Sequence, residues 1–150
     1  MSNPTTSSIS SVLNDLIETC KDGQEGFQHA SENVKNARLQ QLFERLATQR
    51  GQFATQLQTL VRSLGEKAEE SSSVAGAIHR GWIDLKTAVT SHDEKAVLVE
   101  CERGEDSAVA QYRSALEAEL PMDVRAIVIG QSGLVKASHD EIKALRDSVA

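Results

Sequence analysis

A carboxylate in the middle of an apolar helical stripe must be matched by a cation, a metal or a proton. Glu105 is such a group. It lies four residues after Cys101 and three before Ala108, on the arc that also carries Leu98 and Tyr112. Two other apolar ladders are interrupted in the same way. Arg50 stands in the series Phe43, Arg50, Leu57, Leu64, and Gln131 in the series Val124, Val128, Gln131, Val135. The matching stretch nearest the N-terminus reads Cys20, Gly23, Gln24. Each interruption falls near the middle of its segment, and antiparallel helices bring their midpoints to one level. The spacing therefore predicts a central polar layer of Arg50, Glu105 and Gln131, with Cys20 and Cys101 close by. The guanidinium of Arg50 can hold a carboxylate with two parallel hydrogen bonds.

The preferred reading of this layer is a device that fixes helix register at little net gain in stability. The competing reading is a working site or its remnant, because charged groups in a bundle centre also mark function. Cys20 and Cys101 could form a redox pair across two helices, although buried thiols in a reducing compartment more often act as small apolar groups. Glu18, Asp22, Glu25 and His29 share one helix face opposite Cys20, which reads as a solvated acidic surface.

Apolar residues recur at three- and four-residue steps almost throughout, the period of a helix. The pattern predicts helices over about 8–34, 37–64, 93–118 and 122–148, with a shorter one over about 74–90. Asn36 suits a helix N-cap, Gly65 a helix end, and Pro121 the first turn of the last helix. The first two long helices are joined by a short turn, and so are the last two, which predicts two antiparallel hairpins. The connection between the hairpins is long and partly helical, as a crossover that returns the chain to the other end would be. An up-down-up-down arrangement is the alternative topology. Trp82 would pack the connecting helix onto the rest. Val99 and Ile129 lie off the core stripes and suit either that packing or a dimer contact.

Composition limits the function. The chain has 150 residues, enough for one domain over 1–150. One Trp, one Tyr and three Phe leave little for base stacking, and a net charge of -6 opposes a nucleic-acid partner. Residues Met1 to Ser11 contain no Lys or Arg, unlike a signal peptide. No apolar run reaches the roughly 20 residues of a membrane span. The expectation is a cytoplasmic protein without a membrane or nucleic-acid partner. No phosphate-binding glycine loop, nucleophile elbow or HExxH zinc motif is present.

The segments LNDLIETCKDGQEGF (13–27), ATQRGQF (47–53), GAIHRGW (76–82), CERGEDSA (101–108) and SHDEI (138–142) resemble a bacterial family of uncharacterised four-helix-bundle proteins in the ferritin-like superfamily. The resemblance implies an all-α fold, a four-helix bundle with a helical crossover between its second and third long helices. Many relatives in that superfamily hold two metals with a Glu from each of two helices and a Glu-x-x-His from each of the other two. Laid on this chain, the pattern falls on Cys20, on Ala47 and Arg50, on Glu105, and on Lys136 and His139. Only Glu105 and His139 match. An arginine stands where a histidine would bind, and its charge opposes two divalent cations.

The combined expectation is a non-enzymatic protein, possessing no cofactor, with a structural or interaction role of a stress-associated kind and a tendency to form homodimers. The alternative is a metal-binding or redox-active protein holding iron or manganese through Glu105 and His139, with Glu102 or Cys20 completing the set.

Overall fold

The computed structural model describes residues 5–71, 82, 85–91 and 93–149. Five helices account for most of them, and there is no strand among the described residues. They are α1 (Thr6–Asn33), α2 (Ala37–Ser63), α3 (Leu85–Thr90), α4 (Glu94–Glu117) and α5 (Met122–Ser148). The four long helices match the predicted ones to within two residues at each end. Of the helix expected over 74–90, only the part from Leu85 onward is described as helical. Val74, Gly76, Ile78, His79, Arg80 and Gly81 lie outside the described residues.

Local chemistry sets the helix ends. Thr5 and Ser8 form a reciprocal capping box at the start of α1. Asn36 accepts from the Leu39 amide, and Asp93 from the amides of Lys95 and Ala96. Gly65, at φ 76°, takes the left-handed conformation that ends α2. The segment that follows is tied down by Asn14, whose side chain donates to the Lys67 carbonyl and accepts from the Glu69 amide. Gln58 also donates to the Glu69 carbonyl.

The cross-helix bonds fix the directions. Arg45 meets Glu141 and Gln56 meets Gln131, so α2 and α5 are antiparallel. Tyr112 meets Gln131 and Asp106 meets His139, so α4 and α5 are antiparallel. Residues early in α1 share a core with residues late in α4, and Cys20 reaches Tyr112. Hence α2 and α4 run the same way, on a diagonal, and the segment between them carries the chain back from one end to the other. α1 packs on α2 and α4, and α5 on the same two helices.

Two apolar cores fill the interior. One gathers Leu13, Leu16, Ile17 and Cys20 of α1 with Phe53, Leu57 and Val61 of α2, Ala108 and Tyr112 of α4, and Val128 and Val135 of α5. The other gathers Phe27 and Ala30, Phe43 and Leu46, Leu98 and Cys101, and Ile142, with Trp82, Leu85 and Val89 from the connection. On each long helix the two cores are separated by one seven-residue step: 20 to 27, 46 to 53, 101 to 108, and 135 to 142. A single level lies between them.

Trp82 is wedged between α1 and α4 and is 3% exposed. A Cβ built on Gly26 would lie 2.5 Å from the indole, and one on Gly104 would lie 2.1 Å from it. Both glycines therefore exist to admit a flat ring. The indole meets Phe27 edge-on, with ring centroids 5.0 Å apart. Since Trp82 is the only tryptophan, its fluorescence reports this slot. Gly104→Ala is expected to expel the ring, shifting emission to the red and lowering the melting temperature. An unchanged emission maximum would show that the slot tolerates a methyl group.

Candidate functional site

The level between the two cores is polar. Arg50, from the middle of α2, points across the diagonal to Glu105 in the middle of α4. Nη1 donates to Oε1 at 2.5 Å and Nη2 to Oε2 at 2.8 Å. Nη2 also donates to Ser138 Oγ of α5 at 2.7 Å, and the Ser138 hydroxyl donates to Glu105 Oε2. The fourth helix contributes space and a ring. Gly23 lies against the guanidinium, where a Cβ would sit at ordinary contact distance, 3.4 Å from Nη1. Phe27 presents its face to Arg50, 5.5 Å from Cζ to ring centroid. Arg50 is 1% exposed and Glu105 is fully buried.

Burial opposes the charge on Arg50, but the attraction and hydrogen bonds of Glu105 outweigh it and hold the guanidinium more firmly protonated than usual. Such a pair is tolerable in a core because every partner is supplied. Among the described residues no buried side-chain nitrogen or oxygen lacks a hydrogen-bond partner.

Gln131 does not belong to this cluster. It sits one heptad away, inside the first apolar core, and forms a second polar chain. The Cys20 thiol lies 3.1 Å from Tyr112 Oη, which donates to Gln131 Oε1 at 2.7 Å. Because the phenol proton goes to Gln131, the thiol is the donor to the phenol. Gln131 Nε2 then donates to Gln56 Oε1 and to the Phe53 carbonyl. The apolar stripe marked the correct face for Gln131 but not its level, and Ser138 is the residue that completes the layer.

Cys20 and Cys101 are free and buried, on opposite sides of the polar layer. Seven residues of helix separate their levels, about 10 Å of rise, whereas a disulfide needs Cα atoms within about 7 Å. Burial pushes the Cys20 thiol up to about 11. Burial, then the charges of Glu105 and Glu100, raises Cys101 well above an ordinary thiol. Neither thiolate forms at neutral pH.

His139 and Glu102 are not beside Glu105. They face each other on the outer seam between α4 and α5, together with Asp106. His139 Nε2 lies 2.6 Å from Asp106 Oδ1, and Nδ1 lies 3.0 Å from Asp140 Oδ1. Glu102 is buried and bonds Arg146. Burial disfavours the imidazolium, but the hydrogen bonds to Asp140 and Asp106 prevail and raise its pKa. The acidic face expected around Asp22 is also revised, because Asp22 is fully buried. Val99 is half-buried beside α3, while Ile129 is exposed.

These geometries generate three expectations. Arg50→Ala strands the Glu105 carboxylate and should cost about 3–5 kcal/mol in denaturant unfolding, whereas an unchanged midpoint would mean the pair is dispensable. Native protein should resist thiol alkylation at neutral pH and label at both cysteines only after unfolding; fast native labelling would contradict the burial. In metal-free protein the His139 ring should titrate above an ordinary histidine by NMR. Its contribution to stability is then present below the unfolded-state pKa and lost as pH rises through the folded one. Asp106→Asn should reduce both the shift and that pH dependence.

No curated protein matches the chain. A family model does, over residues 8–118, from within α1 to just past the end of α4, leaving α5 beyond the match. That match covers well over half of the 150 residues, and the chain belongs to the family described as Domain of unknown function (DUF2383).

Proposed function

We propose that this chain is a non-enzymatic four-helix-bundle protein of ferritin-like topology, in which an arginine–glutamate layer has taken the place of a core metal centre. The parallel run of α2 and α4 and the long return between them support the topology. The observation that carries the functional reading is the two-pronged Arg50–Glu105 pair at the bundle centre. Both carboxylate oxygens are used, and arginine cannot give up its proton at neutral pH to make way for a cation. A core iron or manganese ion held by Glu105 and His139 would require the guanidinium to leave and His139 to turn inward from the seam.

Self-association is the form of interaction that the surface supports best. Among the described residues the exposed large apolar side chains are Met122, Ile129 and Leu134, all on α5. Ala126, Gly130, Gly133 and Ala137 share the same outer face, opposite the core stripe. A Cβ on Gly130 or Gly133 would meet nothing within 4 Å, so no contact among the described residues accounts for two glycines that each cost a helix about 1 kcal/mol. The order Ala126, Ile129, Gly130, Gly133, Leu134, Ala137 is nearly palindromic. A second copy related by a two-fold axis sets Gly130 against Gly133, Ile129 against Leu134 and Ala126 against Ala137.

Two measurements test this reading. Protein offered Fe(II) and Mn(II), then desalted, should have the same metal content as its Glu105→Gln variant; metal lost with Glu105 would restore the core-site reading. In sedimentation equilibrium the native chain should be a dimer and Gly133→Leu a monomer, and a monomeric native chain would remove the proposed pairing.

A further inference from the structure

We infer that the seam between α4 and α5 carries a divalent-metal site, separate from the core layer, built by Glu102, Asp106 and His139 and suited to a zinc-like ion. It goes beyond the reading above, since it concerns residues outside the bundle centre.

The donors come from two rigid elements. Glu102 and Asp106 are four apart on α4 and therefore project side by side, and His139 approaches from α5. One ligand atom from each residue lies within 4.8 Å of the others. Around an ion bound at about 2.0–2.2 Å, donor atoms lie roughly 3.3–3.6 Å apart, so small side-chain rotations close the set. Two carboxylates and a neutral imidazole balance a dication. The nitrogen donor favours zinc and its neighbours over calcium or magnesium, which take oxygen.

The histidine is already oriented as a ligand would be. Asp140 lies 3.0 Å from Nδ1 and fixes a proton there, turning the Nε2 lone pair towards Asp106. A carboxylate behind a metal-bound imidazole is the usual outer partner of such sites. With only one ring proton, Nε2 and Asp106 Oδ1 at 2.6 Å would oppose each other as two lone pairs. Either a second proton or a cation has to lie between them.

Exposure is graded across the site. Glu102 is buried, the His139 side chain is 15% exposed and that of Asp106 is 61% exposed. An ion would therefore be anchored from the core side and open to water on the other. The competing charge is Arg146, which bonds Glu102 but also donates to Asp147 through Nε at 3.1 Å and Nη2 at 2.8 Å. Arg146 can keep the second partner while giving up the first.

Calorimetric titration of the chelator-treated full chain with Zn(II), repeated with Co(II) as a spectroscopic probe, tests the site. One equivalent should bind, with cobalt absorption of a four- or five-coordinate nitrogen–oxygen set. His139→Ala and Asp106→Asn should each weaken binding by about 10–100-fold, with Trp82 emission confirming that both variants fold. Arg146→Gln should bind at least as tightly as the native chain, and Glu105→Gln should bind normally. No saturable binding, or binding indifferent to both His139→Ala and Asp106→Asn, would overturn the assignment. Binding lost with Glu105→Gln but kept in His139→Ala would instead place the ion in the core and defeat the reading of the previous subsection.

Discussion

The Arg50–Glu105 pair is the constraint on which the rest of the architecture turns. It joins α2 and α4, the two helices that face each other across the diagonal and share little direct packing. The broader packing, of α1 on α2 and α4 and of α5 on the same two helices, is between neighbours. The pair brings two desolvated charges into a core, an expensive arrangement unless both ends of both groups are satisfied. That requirement extends to the other helices. α5 must present a hydroxyl at 138, and α1 a small residue at 23 and a ring face at 27. One ion pair thereby specifies a residue type on each long helix and locks all four into a single register. Sliding α2 by one turn would put Leu46 or Ala54 in place of Arg50, and sliding α5 would put Leu134 or Ile142 in place of Ser138, setting an aliphatic group against a charge.

The same layer divides the interior into two apolar halves, and each half recruits a different accessory. The half containing Tyr112 uses a polar chain from Cys20 to Gln56, which satisfies a phenol that would otherwise be buried without a partner. The half containing Phe27 is completed by the connection between the hairpins, through Trp82, Leu85 and Val89. Phe27 touches both the indole and the guanidinium. The long connection is thus in contact, through one ring, with the centre of the charge layer.

Much of this could be read from the amino-acid order. Four long helices followed from a 3.6-residue period with clear caps. Arg50 and Glu105 stood out because long charged side chains interrupted otherwise apolar ladders at helix midpoints. Ser138 gave no such signal, since a small hydroxyl is unremarkable on either face of a helix. Gln131 shared the stripe with the layer but lay seven residues from it, and periodicity defines a direction around the axis better than a height along it. The gathering of Glu102, Asp106 and His139 was half-visible. The four-residue spacing pairs the two acids, but which face of α5 lies opposite them depends on the rotation of that helix, and sequence pattern fixes this only to within a residue or two. Asp22 reads as surface in the sequence because three of its spaced neighbours are acidic or basic, yet it is buried. Gly26 and Gly104 look helix-weakening in isolation, and their purpose depends on a tryptophan distant from both in sequence.

The glycine slot has an entropic consequence. Where two helices normally meet, long aliphatic side chains must be frozen into one set of rotamers, at a cost for each freed torsion. Where Gly26 and Gly104 face the ring, α1 and α4 offer no side chain to freeze, and the inserted indole has only two torsions of its own. The gap between these helices is therefore set by the thickness of a planar ring, a spacer that neither compresses nor chooses among conformers.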